Sequence, residues 1–274
     1  MVSAVAAAFS KSAATYDDDE SKNRVARWTR AENLSYLRAT FRPGEDLLEL
    51  GCGTGTEALQ LARAGSHIVA TDAAPSMIRE LHQKLAQGTN QDIADRIMTY
   101  VLPASQVNSL EKEIEIGGFD GAYSSFGPLN CEPDLSPVAS ALGRLVRPGG
   151  KVVISLLGRF CLWETAWYLA HGKPAKAIRR WGGQAEATVR GEWQDERIKV
   201  YYWSADHVER TFSDDFKLTD RSALPWMLPP QYLSGIFRGR SRLFRMLAAA
   251  EKRTARYWPA NVLGDHIRFT FVRK

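Results

Sequence analysis

Leu47-Leu48-Glu49-Leu50-Gly51-Cys52-Gly53-Thr54-Gly55 is the stretch that decides the fold. A short apolar run passes into a glycine-rich turn, and the turn opens a helical pattern at Thr56–Ala64 that stops at Gly65. Glycines at such a joint let backbone N–H groups and a helix N-terminus approach a ligand without Cβ interference. The spacing here is G-x-G-x-G. A dinucleotide fingerprint would need glycine where Thr56 stands, and no Gly-Lys-Ser/Thr follows, which sets aside a Walker loop.

Working outward, apolar runs recur at intervals that alternate strand with helix. Asp46–Leu50, His67–Thr71, Ile97–Leu102, Phe119–Ser124 and Lys151–Leu157 read as buried strands. Pro75–Gln87 and Asp134–Val146 read as helices between them, the first opened by proline and closed by Gly88. The pattern predicts an α/β fold, a doubly wound, mostly parallel seven-stranded sheet with helices on both faces. Residues 1–45 are expected to form a helical lid, with one long polar helix over Asp18–Phe41, and residues 46–158 the ligand-binding core. Residues 159–203 read as an aromatic-rich insert after strand five, with a hairpin of Glu186–Trp193 and Ile198–Trp203. Residues 204–274 complete the sheet through a helix at Ala205–Phe212, a strand at Phe216–Ala223, a basic helix near Arg238–Arg256 and a strand at His266–Arg273.

Asp72 lies 21 residues after Gly51, at the tip of the second strand, where an acid accepts both ribose hydroxyls of an adenosine. With Ala73-Ala74-Pro75-Ser76-Met77, Phe119-Asp120 and Leu145-Val146-Arg147-Pro148-Gly149-Gly150, the glycine turn and this acid resemble the class I, Rossmann-like S-adenosylmethionine-dependent methyltransferases of the small-molecule type. Phe9 with Tyr16-Asp17 is similar to the entry segment of that type. The resemblance implies S-adenosyl-L-methionine as cofactor and S-adenosyl-L-homocysteine as product. It also implies a cofactor site drawn from Glu49, Gly51, Gly53, Gly55, Asp72, Ala73, Met77, Ala104, Ser105 and Ser124. Many relatives carry an acid at the adenine edge where this chain has Ala104-Ser105-Gln106, so Ser105, Gln106 or a backbone carbonyl must stand in for it.

Methyl transfer is an in-line displacement, so holding the acceptor atom in line and excluding water are the protein's main tasks. Ser124-Ser125-Phe126-Gly127-Pro128-Leu129-Asn130 leaves the fourth strand where an open α/β sheet places its ligand, which makes Phe126 and Asn130 candidate acceptor-side residues. Trp163 and Tyr202, from the aromatic insert, are candidates for lining a flat or apolar acceptor pocket. His171 and His207 are candidate general bases, with Glu164, Tyr201 and Tyr202 behind them, and Tyr16 is the candidate cap over the cofactor. The segment after strand four has no Asn/Asp-Pro-Pro-aromatic run, which argues against nucleobase or glutamine amides as acceptors.

Composition narrows the classes further. Hydrophobic residues make up 45% and charged residues 24% of the 274, an ordinary globular balance without a membrane span. The Val2–Phe9 run lacks a basic flank and is interrupted by Lys11, so a secretory leader is not expected and the cytoplasm is. Cys52, Cys131 and Cys161 are too scattered for a disulfide framework or a metal cluster. The net charge of +5 conceals an acidic front, −5 over residues 1–150, and a basic back, +10 over 151–274. The sequence therefore predicts transfer of a methyl group to an O, N or C atom of a small hydrophobic or aromatic metabolite. The alternatives are a tRNA methyltransferase using the basic back half, and a membrane-surface or partner-binding protein on the same fold, with a peripheral membrane or dimer contact through residues 236–256.

Overall fold

The computed structural model describes residues 3–113, 118–189, 195–237 and 239–274, without the side chains of 19–21. Trp193 of the expected hairpin and Arg238 of the expected basic helix lie outside the described residues.

Five parallel strands carry the core: β1 (Asp46–Leu50), β2 (His67–Asp72), β3 (Ile97–Val101), β4 (Phe119–Ser124) and β5 (Val146–Leu157). An antiparallel hairpin, β6 (Gln184–Val189) with β7 (Glu196–Tyr201), stands apart as a two-stranded sheet. β8 (Phe216–Leu224) and β9 (His266–Arg273) complete the main sheet, whose seven strands run in the order β3-β2-β1-β4-β5-β9-β8. β9 is antiparallel to both its neighbours. The strand order reverses between β1 and β4, the point at which an open sheet leaves a crevice beyond its carboxyl ends.

The N-terminal helices are α1 (Ala4–Ser12), α2 (Tyr16–Ser21) and α3 (Arg24–Thr40), followed by α4 (Thr56–Arg63), α5 (Pro75–Leu85) and α6 (Ser136–Leu145). After β5 come α7 (Leu162–Ala170) and the single turn α8 (Pro174–Ala177), then α9 (Ala205–Phe212) and α10 (Ser241–Thr254). Strand alternation divides the core between the two faces of the sheet. Leu48 and Leu50 point to the face that Leu142, Phe212, Phe269 and Phe271 fill. Leu47 points to the face covered by Leu37, Ala58 and Leu81, and Glu49 shares that direction.

The expected single helix over Asp18–Phe41 is two. The Asn23 side chain accepts hydrogen bonds from the backbone N–H groups of Val25 and Ala26, at 3.0 and 3.1 Å, and so starts α3 afresh. The Val2–Phe9 run contains a helix, α1, whose Ala8 packs against Ile198, Val200 and Tyr202 of the β6–β7 hairpin. The insert is thereby bound to the lid.

A second constraint holds the turn after β8. Glu251 of α10 is buried and accepts from the backbone N–H groups of Trp226, Met227 and Leu228, at 2.8, 2.7 and 3.2 Å. Burial pushes its carboxyl from the ordinary 4.5 up to about 7, against the pull of these three donors. A carboxyl raised on folding stabilises the fold below its unfolded value, and that contribution is lost as pH rises through the folded value. Unfolding free energy measured in urea should therefore fall by about 1–3 kcal/mol between about pH 4.5 and pH 7.5. Glu251→Gln should flatten that decline.

Candidate active site

The crevice at the carboxyl ends of β1, β2 and β4 is a cavity of about 370 Å³. Its floor is the glycine turn. Gly51, Gly53 and Gly55 all have positive φ, at 70°, 53° and 78°, a region that side chains rarely adopt. Their neighbours then assign different tasks. A Cβ on Gly53 would meet nothing within 4 Å, so its backbone faces open space. A Cβ on Gly51 would lie 2.2 Å from Pro128 Cβ, so that glycine lets the β4 loop close over the turn. A Cβ on Gly55 would lie 2.3 Å from Leu81 Cδ1, and Gly55 does not line the cavity. Gly55 serves the packing of α5 against the turn.

Asp72 joins two loops. Its carboxylate accepts from Gly53 N–H and Ala74 N–H, both at 2.8 Å, while forming part of the cavity wall. Burial raises its pKa and these two donors oppose the rise. Ala73, Met77, Leu102, Ala104, Ser105 and Gln106 extend the wall from there. The edge at Ala104-Ser105 has an acid after all: Glu132, from the segment after β4, lines the cavity and accepts from Ser105 N–H at 3.3 Å. It is distant in sequence and follows no β3 signal, so spacing alone does not reveal it.

Glu49 and Ser124 lie behind the wall rather than on it. Glu49 is fully buried, one of its oxygens has no hydrogen-bond partner, and burial, followed by the charge of Glu57, drives its pKa well upward. Ser124 donates to the Leu50 carbonyl at 2.9 Å, which binds β4 to β1. Its neighbour Ser125 reaches the cavity and accepts from Asn33 at 2.9 Å.

The N-terminal helices cover the cavity through Ser3, Val5, Ala6 and Phe9 of the α1 segment and Tyr16 of α2. Tyr16, the expected cap, does line the cavity and packs with the Ala13, Ala74 and Met77 cluster. The latch is Asp17, which accepts from the Thr54 hydroxyl at 2.6 Å and pairs with Lys84 at 2.5 Å. Lys84 also donates to the Thr54 carbonyl at 2.9 Å.

Near Phe126, Arg30 of α3 and Glu57 of α4 line the cavity and form a pair in which one guanidinium nitrogen donates to both carboxylate oxygens at 2.8 Å. The Arg30 guanidinium stands 5.3 Å over the Phe126 ring, and His266 meets that ring edge-on at 5.9 Å. Phe126 lines the cavity with φ at 61°, an unusual conformation for a bulky residue and a strain the surrounding packing must hold. Arg30 and Glu57 are missing from the sequence expectations because they belong to the polar sides of two helices and follow no motif.

Several other expected residues serve structure instead. Asn130 is fully buried, donates to the Leu157 and Tyr201 carbonyls at 3.3 and 2.6 Å, and accepts from Leu157 N–H at 2.7 Å. Its hydrogen-bonding capacity is spent on docking the insert to the core. His171 caps α7 on the surface, its ring 4.1 Å from that of Trp167 and its Nδ1 2.7 Å from the Trp167 carbonyl. His207 stacks on Trp203 at 4.9 Å. Neither histidine lines the cavity, nor does any other among the described residues. Trp163 donates to the Met227 carbonyl at 2.9 Å, and Tyr202 is buried among Ala8, Ile198 and Val200; both lie away from the cavity wall. Glu164 is buried and bound by Arg179 at 2.6 Å, by Arg180 at 2.7 Å and by the Tyr232 hydroxyl. Against burial, which would push it up, the Arg179 hydrogen bond and the Arg180 charge hold Glu164 below the ordinary carboxylate range. That state suits a structural anion rather than a proton acceptor.

Residues 47–150 match the family model described as "Methyltransferase domain". Over 172 residues the chain is 30% identical to the malonyl-[acyl-carrier protein] O-methyltransferase of Serratia marcescens, covering 62% of this chain and 60% of the relative. Over 129 residues it is 32% identical to a ubiquinone biosynthesis O-methyltransferase of Xanthomonas axonopodis pv. citri, covering 46% of this chain and 49% of the relative. The chain thus matches about three fifths of the length of the first relative and about half of the second. A structure described as a putative S-adenosylmethionine-dependent methyltransferase of Listeria monocytogenes superposes with a TM-score of 0.58 at 12% identity, over 90% of this chain and 97% of the other, and so shares the fold. Residues 47–150 thus match a methyltransferase domain, the fold is the Rossmann-like one shared with the S-adenosylmethionine-dependent methyltransferase of Listeria monocytogenes, and S-adenosylmethionine is the cofactor of that class.

The residues present fit that cofactor. Gly53 offers backbone to open space, Asp72 brings a carboxylate to the same wall, and Ala73, Met77 and Leu102 supply an apolar slab beside it. The cavity volume falls in the range of small-molecule sites.

Asp17→Ala should unlatch the lid without unfolding the core. Amide exchange over residues 4–16 should accelerate by roughly 5- to 30-fold, the effect of about 1–2 kcal/mol of lost hydrogen bonding, with the melting temperature nearly unchanged.

Proposed function

We propose that this chain transfers a methyl group from S-adenosylmethionine to an O, N or C atom of a small, largely apolar or aromatic metabolite. The observation that carries the reading is the convergence of the glycine turn, Asp72 and the N-terminal helices on one cavity, whose wall also carries Phe126, Pro128, Cys131 and Pro133 beside Glu132 and the Arg30–Glu57 pair. The cofactor supplies an electrophilic methyl group on a sulfonium. The chain's own residues bind, orient and exclude water.

Asp72, held by two amides, presents its remaining lone pairs to a ribose, and Glu132 and Ser105 face the adenine edge. Phe126, fixed between Arg30 and His266, is the plane against which the acceptor is oriented. α1 and α2 shield the centre from water once Asp17 engages Thr54 and Lys84. The Cys131 thiol, pushed up to about 12 by burial, stays protonated at neutral pH and is no base. The wall carboxylates Glu57 and Glu132 are engaged, the first by Arg30 and the second by Ser105 N–H, which favours an acceptor that is already nucleophilic. Relatives named for methylating malonyl-[acyl-carrier protein] and for ubiquinone biosynthesis support a metabolite acceptor over RNA.

Titration with S-adenosylhomocysteine by calorimetry tests the cofactor site. Asp72→Ala should weaken binding by about tenfold to several hundredfold, the loss of one or two hydrogen bonds to a charged group. Unchanged affinity would remove Asp72 from the site. Methyl-labelled cofactor incubated with fractionated host extract tests the acceptor class. Label in the small-molecule or lipid fraction supports the proposal, and label confined to RNA or protein overturns it.

A further inference from the structure

α10 is amphipathic in an unusual sense. Phe244, Ala248 and Glu251 form its inner stripe, packed with Val25, Leu228 and Phe237. At helical spacing, Arg242, Arg245, Met246, Ala249, Arg253 and Arg256 occupy the opposite stripe, and all six are exposed or lead directly off the helix end. Residues 239–258 contain six arginines and lysines and a single acid, Glu251, which is turned inward. Lys252 is engaged with Glu32 at 2.5 Å and Arg256 with Asp220 at 3.4 Å. Arg242, Arg245 and Arg253 have no ion-pair partner among the described residues. The stripe runs on into Tyr257 and Trp258, 70% and 80% exposed, and Met246 within it is 61% exposed.

We propose that this face docks on a bilayer containing anionic phospholipid. Charge complementarity selects the partner: a flat row of guanidinium groups meets a layer of phosphates, each worth about 1 kcal/mol near such a surface. Tyr257 and Trp258 select a bilayer over a polynucleotide, because amphipathic rings settle at the headgroup level, and Met246 and Ala249 between the arginines have no hydrogen bond to give a base. Basic residues and an aromatic anchor together supply the two signals that peripheral binding needs. The position is useful. α10 packs on α3 through Lys252–Glu32 and Arg24–Phe244, the latter with the guanidinium 4.1 Å over the ring, and α3 carries Arg30 into the cavity wall. A lipid-dissolved acceptor would therefore be met beside the acceptor side of the site. The docking itself does not depend on the methyl-transfer reading.

Sedimentation of the full chain with phosphatidylcholine vesicles, with and without phosphatidylglycerol, tests the face. Binding should require phosphatidylglycerol and fall steeply with added salt. R242E/R245E/R253E should lose about a hundredfold or more in vesicle affinity. These side chains are exposed, so an unchanged melting temperature and unchanged S-adenosylhomocysteine binding confirm that the variant is folded. Brominated lipid should quench tryptophan fluorescence, and Trp258→Ala should remove most of that quenching. Equal binding to neutral vesicles, absence of binding to either kind, or undiminished binding by the charge-reversal variant overturns the proposal. So does a dimer that needs the same arginines and has no vesicle affinity, or tRNA binding that exceeds vesicle binding and is indifferent to Met246→Ala and Trp258→Ala.

Discussion

The carboxylate of Asp72, shared between Gly53 N–H and Ala74 N–H, is the contact on which the rest of the site depends. One side chain at the end of β2 sets both the turn after β1 and the start of α5. The turn in turn accepts the β4 loop, because Gly51 has no side chain to hold Pro128 away. Three loops from three strands are therefore fixed relative to one another by two contacts, and the cavity is the space that remains. The cost is a buried carboxylate, offset by hydrogen bonds to two backbone amides.

Much of this was legible because it is local. A glycine needed for positive φ, an acid at a strand tip and a proline at the first turn of α5 each leave a mark at a fixed distance along the chain. β1, β2, β4 and the inner part of β5 read well because they are largely covered on both faces and so are mostly apolar, whereas the edge strand β3 leaves Met98 and Val101 half exposed. The break between α2 and α3 also has a local physical agent. Asn23 is an evident cap, but the surrounding polar residues are equally compatible with an unbroken helix.

What was not legible is what the third dimension assembles. Arg30 and Glu57 are 27 residues apart on different helices and meet only because α3 crosses α4 above the sheet. Glu132 reaches the Ala104–Ser105 edge from beyond β4. Conversely, histidines draw the eye as proton carriers, yet His171 and His207 each found a tryptophan face nearby and stayed outside the cavity. Asn130 illustrates the same limit. Position after β4 marks it as important, and it is, but its amide is satisfied by Leu157 and Tyr201, so its importance is the docking of the insert.

The uneven charge of the chain has a structural meaning that follows from these placements. Glu57, Asp72 and Glu132 stand on the cavity wall and Glu49 lies buried behind the glycine turn, with Arg30 as the one cation among the described lining residues. A phosphate or pyrophosphate brought to that wall would meet Asp72 and Glu132 as well as the Arg30-paired Glu57, whereas a sulfonium cation would be drawn to it. Part of the acidic front of the sequence thus lies at the site, in agreement with the departure of G-x-G-x-G from the dinucleotide spacing. The basic excess is displaced to the opposite side of α3, on α10, where it meets solvent instead of the cavity. α3 stands between the two, with Arg30 at the cavity wall and Glu32 and Arg24 against α10, so a single domain lines its cavity with carboxylates and presents a cationic face to solvent.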